Sequence, residues 1–250
     1  MGDESFKNAF RPLAPGTSFL DFNDFSGLEH IDGQTACVII EPIQGEGGII
    51  LPEDGFLQEI RDRCDRAGAL LIFDEIQTGM GRTGSMFAFD QWETIPDILV
   101  VAKGFGGGMP LGGFISSSGI MSVFKTNPVL GHITTFGGHP VSCAAGLASL
   151  EVLLRDDLIR DVPEKEKQFR DQLQHPSIKE IRGRGLFLAV EMGSAKRVQK
   201  LISLAREGGI VTDWFIFHDT AFRIAPPLII TPEQIKDVCS RLQQLLEKCG

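Results

Sequence analysis

The stretch DILVVAKGFGGGMPLGG at residues 97–113 is the most informative segment of the chain. Residues 98–102 form an apolar, largely β-branched run, which predicts a strand buried on both faces of a sheet. Lys103 follows directly, and the glycines after it allow a flat group to lie against the backbone. We expect the Lys103 ammonium to be partly desolvated, which would lower its pKa and suit the amine to form a Schiff base with an aldehyde. On this stretch alone, a surface lysine that opens a loop is an equally good interpretation.

Strands and helices alternate around this stretch, which is typical of a parallel α/β layer structure. After an irregular segment that ends near residue 32, the pattern predicts strands at 35–41, 69–74, 97–102 and 113–117 and helices at 55–67 and 140–154. Beyond residue 155 the pattern changes to α+β, so we place a domain boundary there. The elements predicted in this part are helices at 161–174, 195–207 and 232–248, two strands within 178–192, and short strands near Ile210 and Phe222.

Composition excludes several classes of function. The chain has 250 residues, 42% of them hydrophobic and 23% charged, as in globular proteins. Its net charge of −9 disfavours nucleic acid and anionic membrane surfaces as partners. We see neither a membrane-spanning stretch nor a signal peptide and expect a cytoplasmic protein. The five cysteines have no metal-ligand spacing, so no metal is expected.

Asp74 ends the second predicted strand, as Lys103 follows the third. Ligands of parallel sheets gather at the carboxyl ends of the strands, so both side chains could face one pocket. A buried carboxylate there needs a partner, and a protonated heterocyclic nitrogen is suitable, because holding that nitrogen protonated makes a pyridine ring an electron sink. A helix N-cap or a structural ion pair remains the ordinary alternative for Asp74 alone.

Other segments carry weaker signals. Arg223 precedes two prolines that fix the backbone, an arrangement that suits an arginine to bind a carboxylate in bidentate fashion, although a solvated arginine is the commoner case. Thr134 and Thr135 offer hydroxyls just before a helix start, where phosphate binds well and where simple capping is the alternative. The acidic, glycine-rich segment 41–48 follows a strand and could be an ordinary turn.

The segment 79–84 satisfies the GxGxxG pattern of dinucleotide-binding proteins. That fingerprint runs directly from a strand into a helix and is followed by an acidic residue about 20 positions on. Here four residues separate it from the strand, Asp97 comes too early, and no clear helix start follows. A nicotinamide enzyme is therefore a distant alternative.

Taken together, these segments resemble the class III (ω-amino acid) aminotransferases, which use pyridoxal 5′-phosphate and have fold type I. The resemblance is greatest to the acetylornithine and ornithine aminotransferase branch. It is carried by five motifs in register: EPIQGEGG at 41–48, IFDEIQTGMGRTG at 72–84, AKGFGGGMPLGG at 102–113, TTFGGHP at 134–140 and FRIAPPL at 222–228.

The resemblance implies a role for each candidate residue. Lys103 matches the Schiff-base lysine, which also moves the substrate proton, and Asp74 the partner of the pyridine nitrogen. Gln77 matches a donor to the phenolic oxygen of the ring. Thr135, with Thr134 beside it, matches the phosphate-binding threonine that the neighbouring subunit of a homodimer supplies. Arg223 matches the arginine that binds the α-carboxylate of glutamate or 2-oxoglutarate, and Glu46 the glutamate that neutralises it when an ω-amine is bound.

The resemblance also implies a partial architecture. Family members carry a long N-terminal portion that this chain lacks, so residues 1–154 would be a partial large domain with an α/β core at 33–154, and residues 155–250 an α+β small domain. We expect weak cofactor binding by this chain alone, exposed apolar faces and a tendency to associate. The expected reaction is transamination from an N-acetylornithine-like or ornithine-like ω-amine to 2-oxoglutarate. Another class III enzyme, such as an aminomutase or a decarboxylating transaminase, and a catalytically inert oligomerisation module are the alternatives.

Overall fold

The computed structural model describes residues 3–129 and 132–249. The helices in this part are α1 (Glu4–Lys7), α2 (Phe56–Ala67), α3 (Ser118–Ser122), α4 (Pro140–Arg155), α5 (Val162–Gln172), α6 (Ala195–Glu207) and α7 (Pro232–Glu247). The strands are β1 (Cys37–Ile40), β2 (Leu70–Asp74), β3 (Ile98–Val101), β4 (Gly113–Ser116), β5 (Glu180–Arg184), β6 (Phe187–Glu191), β7 (Trp214–Phe215) and β8 (His218–Ile224). These strands form two four-stranded sheets.

The first sheet has the strand order β1-β2-β3-β4. Strands β1, β2 and β3 are parallel, and β4 runs antiparallel to β3. The connection between β3 and β4 is too short for the crossover of a dozen or more residues that a parallel pairing needs, so β4 returns in the opposite direction. The predicted α/β layer is confirmed, with this one strand reversed at its edge.

One face of the first sheet is packed and the other is more open. Leu71, Phe73 and Leu99 point to the packed face, where they join the buried side chains of α2 in one core. Alternate residues point the other way, and Ile39 on this face is 68% exposed. The expectation that residues 97–102 are buried on both faces is wrong for the described structure, because Ile98 and Val100 are only half-buried on the open face.

Small residues let α4 approach the loop that follows β3. A β-carbon added at Gly146 would lie 2.8 Å from the carbonyl oxygen of Phe105. Gly107 has φ of +58° and abuts the backbone of Ala145. The helix therefore packs directly on the backbone that carries Lys103, as its small-residue face predicts.

The second sheet has the order β5-β6-β8-β7, with every pairing antiparallel. Helices α5, α6 and α7 bury their apolar faces in a common core with β6 and β8. The short strand predicted near Ile210 is wrong, because the Ile210 N–H caps α6 by donating to the carbonyl oxygen of Ala205 at 2.8 Å. The short edge strand of this region, β7, begins instead at Trp214 and pairs with β8.

A third cluster of buried side chains joins the two sheets. Ile43 and Ile49, which follow β1, pack with Phe187 of β6 and with Phe215 and Ala221 near the edge of the second sheet. Backbone contacts reinforce it, and the carbonyl oxygen of Arg82 accepts from the Leu186 N–H at 3.0 Å. Loops that follow the strands of the first sheet are thereby held against the second. Among the described helices, none combines the length and apolar character that crossing a membrane requires.

Candidate active site

Three charged side chains lie at the carboxyl ends of β1, β2 and β3. Glu41 follows β1, Asp74 ends β2, and Lys103 begins a short 3₁₀ helix after β3. The charges of both Asp74 and Lys103 act on the carboxyl group of Glu41. The parallel topology therefore brings the two sequence-predicted residues, Asp74 and Lys103, into one charge cluster with Glu41, which we call the strand-end cluster.

Lys103 is held in an unusual backbone conformation. Its φ is +49°, in the left-handed region that non-glycine residues rarely adopt. Such strain is characteristic of functional sites. The residue is exposed, so the expected partial burial of its amine is wrong for the described residues. The physical reason is the sequence around it, because the glycines that follow have no side chains to cover the lysine.

Glu41 is the titratable residue to which the sequence assigned no role. Burial raises its pKa, and a hydrogen bond from the Gly45 N–H, at 2.9 Å, lowers it. The nearby carboxylate of Asp74 raises the pKa further, and the Lys103 ammonium opposes that change. The net pKa is above the ordinary value. Its place at the carboxyl end of a predicted strand, as for Asp74 and Lys103, was the one signal that could have identified it.

Asp74 has a local partner as well. Its Oδ1 accepts from the Ile76 N–H at 3.0 Å, the pattern of an aspartate that caps a turn. The following residues form turns, so the interpretation as an N-cap of a helix does not apply. Within residues 3–129 and 132–249 no donor bonds to its other oxygen, and the side chain is half-buried on the open face of the sheet, beside Ile72 and Val100.

Glu46 and Arg223 form an ion pair between the two sheets. Nη2 of Arg223 donates to Oε1 of Glu46 at 2.7 Å, and the second carboxylate oxygen accepts from the Ile216 N–H at 3.1 Å. Burial raises the pKa of Glu46, but these donors and the nearby Gln77 amide lower it more, so the net pKa lies below the ordinary value. Glu46 is therefore an ionised carboxylate at neutral pH.

Arg223 combines a partner with an unused donor. Its guanidinium carbon lies 4.7 Å from the centre of the Phe215 ring, which fixes its plane. Its Nε is buried and has no hydrogen-bond partner among the described residues. An arginine that is held rigidly, with one donor paired and another unsatisfied, is well placed to bind a carboxylate by donating hydrogen bonds to it.

The strand-end cluster and the Glu46–Arg223 pair are neighbours. Gly45 lies between them, because a β-carbon added there would contact both the Glu41 carboxylate and the Gln77 side chain. Position 45 therefore needs glycine, and the loop brings the side chains of Glu41 and Glu46 close to each other. The sequence-predicted Gln77 thus lies between the cluster and the ion pair.

Thr134 and Thr135 lie apart from these contacts. Both are exposed, on the turn that precedes α4. Within the described ranges they make no hydrogen bond to the strand-end cluster. Their predicted role in phosphate binding stays a prediction.

The GxGxxG segment at 79–84 connects the sheets and does not open a helix. Gly81 has φ of +83°, and a β-carbon there would lie 2.9 Å from Ile159 and 3.1 Å from Leu228. The next element is a 3₁₀ helix at Ala88–Trp92. A strand-to-helix dinucleotide turn is therefore not formed by these residues.

Comparisons with known proteins agree on one family. A model of the family "Aminotransferase class-III" matches residues 6–246. Ornithine aminotransferase 2 of Staphylococcus aureus (strain Mu50) is 39% identical over 251 residues, covering 98% of this chain and 61% of the relative. Acetylornithine aminotransferase of Methanosarcina mazei is 40% identical over 237 residues, covering 93% of this chain and 58% of that relative. The chain thus spans about three fifths of the curated relatives it matches.

Solved structures give the same result. A structure of ornithine aminotransferase from Toxoplasma gondii superposes with a TM-score of 0.91 at 36% identity. The match covers 99% of this chain and 59% of the Toxoplasma gondii chain. Its description reports partial occupancy of pyridoxal phosphate at the active site. Acetylornithine aminotransferase from Elizabethkingia anophelis superposes with a TM-score of 0.85 at 31% identity, covering 94% of this chain and 61% of that protein's chain. The fold-type-I expectation is confirmed.

Proposed function

Because the chain belongs to the class III aminotransferases, a pyridoxal-phosphate-dependent family, we propose that it contributes the catalytic lysine and the carboxylate clamp of a transaminase. The observation that carries the proposal is the adjacency of the strand-end cluster and the Glu46–Arg223 pair across Gly45. The reaction moves an amino group from an ω-amine, N-acetylornithine or ornithine in kind, to 2-oxoglutarate. Its products are an aldehyde and glutamate.

The residues at the strand ends fit pyridoxal phosphate by their chemistry. The aldehyde of the cofactor reacts with an amine, its ring nitrogen pairs with a carboxylate, and its phenolic oxygen accepts from an amide. Lys103 supplies the amine, Asp74 the carboxylate and Gln77 the amide. The strained φ of Lys103 and the unsatisfied Nε of Arg223 support a ligand between the two sheets. When bound, the cofactor supplies an aldehyde and an electron-withdrawing pyridine ring.

Each residue of the chain has its own part in the proposed reaction. Asp74 keeps a proton on the ring nitrogen, because its carboxylate favours the charged form of that nitrogen. Lys103 Nζ would take the proton from the substrate carbon and pass it to the cofactor, and would move it in the opposite direction in the second half-reaction. Arg223 binds the α-carboxylate of the oxo acid when Glu46 releases it, and Glu46 covers Arg223 when an ω-amine is bound.

The remaining parts of the proposal concern assembly. Thr135, with Thr134 beside it, would bind the cofactor phosphate across a homodimer interface, and the enzyme would act in the cytoplasm. We assign residues 1–154 to a partial large domain and residues 155–250 to a small domain. The alternative function is an inert oligomerisation module, which the exposed apolar side chains of the open face and of α4 favour.

A direct assay separates the two functions. The purified chain is mixed with pyridoxal phosphate, scanned for a new near-visible absorbance band, and supplied with ornithine or N-acetylornithine and 2-oxoglutarate while glutamate is measured. The proposal expects a band that Lys103→Ala abolishes, and glutamate that depends on both substrates. Lys125→Ala, in an exposed 3₁₀ helix, is the control. If the wild-type chain gives no new absorbance band and forms no glutamate, the result favours the inert module.

A further inference from the structure

Arg182, on β5 of the second sheet, reaches across to the loop that carries Glu46. Its Nε donates to the carbonyl oxygen of Gly48 at 2.6 Å, over a separation of 134 residues. Its Nη1 donates to Oε2 of Glu191 at 3.1 Å. One guanidinium therefore links a backbone carbonyl of the loop at 45–49 to a carboxylate of β6.

The carboxylate that holds Arg182 is itself firmly fixed. Oε2 of Glu191 also lies 2.5 Å from Nε2 of His218, and Oε1 accepts from the Gly193 N–H at 2.8 Å. Burial raises the pKa of Glu191, but His218, Thr220, the Gly193 N–H and Arg182 outweigh it and bring the pKa to about 2. Arg182 is thus anchored by an ionised group attached to two strands of the second sheet.

The loop at 45–49 adopts a conformation that needs holding. Ile49, a buried β-branched residue, has φ of +58°, which such residues rarely adopt. Gly48 has φ of +99°, and a β-carbon there would lie 2.7 Å from Arg182 Nη2 and 2.8 Å from the His218 ring. Backbone in these regions persists only when its surroundings over-determine it. Arg182 and His218 are those surroundings.

The same loop sets the position of Glu46. Besides its ion pair with Arg223, Glu46 accepts from the Ile216 N–H through its side chain and from the Phe217 N–H through its carbonyl oxygen, each at 3.1 Å. These bonds align the carboxylate with Arg223. Any displacement of the loop at Gly48 moves Glu46, two residues away.

We propose that Arg182 is a positioning residue that sets how firmly Glu46 covers Arg223, and hence the balance between dicarboxylate and ω-amine substrates. This inference rests on the proposed function, in which Glu46 must give up Arg223 to an incoming carboxylate. Arg182 acts through the Gly48 carbonyl and does not contact the substrate. Loosening the loop weakens the Glu46–Arg223 pair and leaves the arginine free for a larger fraction of the time.

Hydrogen exchange tests the positioning step without cofactor or activity. In Arg182→Met we expect the Ile216 and Phe217 amides to lose protection by at least about tenfold, while amides within α7 keep theirs. Arg206→Met, at an exposed arginine of α6, is the matched control and should change none of these amides. Should Arg182→Met fail to fold, as judged by circular dichroism, Arg182→Lys replaces it. One ammonium cannot serve Gly48 and Glu191 with the geometry of the planar fork, so a smaller loss is expected.

Binding of glutarate, a dicarboxylate without an amine, tests the consequence. A merely structural role for Arg182 would weaken binding, whereas the proposal expects Arg182→Met to bind glutarate roughly threefold to tenfold more tightly. Glu46→Gln should do the same. The double variant should gain no more than Glu46→Gln alone, because both changes release the same arginine.

The outcomes are distinct. Unchanged protection of Ile216 and Phe217 in Arg182→Met overturns the inference, as does protection lost evenly across both sheets. If no variant binds glutarate while protection is lost selectively, the positioning of Glu46 stands and the carboxylate clamp of the proposed function fails. If glutarate binds but the two changes are additive, Arg182 does not act through Glu46.

Discussion

Glu46 and Arg223 are 177 residues apart in the chain, and their side chains meet at 2.7 Å. Glu46 belongs to the loop after β1 of the first sheet, and Arg223 to β8 of the second. Neither segment makes this ion pair without the docking of the two sheets. The chemistry proposed for the pair therefore depends on tertiary structure that no single motif contains.

Replacing Arg223 should remove the carboxylate-binding group. A hydrogen bond to a charged partner contributes about 1.5–3 kcal/mol, so Arg223→Gln should weaken glutarate binding roughly 10- to 100-fold. The glutarate affinity of Arg223→Lys should lie between those of the wild type and Arg223→Gln, because lysine keeps the charge but loses the bidentate guanidinium geometry. Isothermal calorimetry measures both, with Arg206→Gln as the control. Unchanged affinity in Arg223→Gln would remove the clamp from the account.

The titration of Glu41 reports on the strand-end cluster without any cofactor. The Asp74 carboxylate raises the pKa of Glu41 and the Lys103 ammonium lowers it. Asp74→Asn should therefore lower that pKa, and Lys103→Met should raise it. Carbon-detected NMR of the labelled carboxyl group follows both shifts. Shifts of the same sign, or none, would mean that the three side chains are not neighbours.

The Glu191 carboxylate predicts a pH-dependent contribution to stability. Its pKa in the folded protein is about 2, against an ordinary value of 4.5. A group with a depressed pKa stabilises the fold at pH above 4.5, and this contribution is lost as pH falls toward 2. At neutral pH Glu191→Gln should lower the free energy of unfolding by up to about 3 kcal/mol.

Urea unfolding at several pH values measures this effect. The difference between wild type and Glu191→Gln should shrink through the acid range, and Glu207→Gln, at an exposed residue of α6, is the control. A difference that stays constant between neutral and acid pH would contradict the role assigned to the carboxylate.

The open face of the first sheet should promote association of this chain. Ile39, on a strand at the edge of the described sheet, is 68% exposed. A lysine at such an edge disfavours pairing with another chain, so Ile39→Lys should shift sedimentation toward smaller species. Ile229→Lys is the matched control, since Ile229 is also 68% exposed but lies outside the first sheet. Equal shifts in both variants would show that net charge, not the face, controls association.

Local patterns sufficed for much of the fold. The strands at Leu70–Asp74 and Ile98–Val101 follow from short apolar runs, and their parallel order places Asp74 and Lys103 at one edge. The exposure of Lys103 was not predictable in this way, because burial depends on what other segments cover. The Arg182 bridge depends on a contact over 134 residues, which no local pattern encodes.

The attachment of Arg82 has a consequence for chain continuity. Its Nη1 donates to the carbonyl oxygens of Leu186 and Pro226, at 3.1 and 2.5 Å, and burial lowers its pKa. The loop after β2 is thus fastened to the second sheet by side-chain and backbone bonds, independently of the turn at 156–161. Cleavage of that largely exposed turn by a protease should yield a nicked protein whose two pieces still elute together on gel filtration. Their separation without denaturant would show that the peptide connection, and not the docked surface, keeps the halves joined.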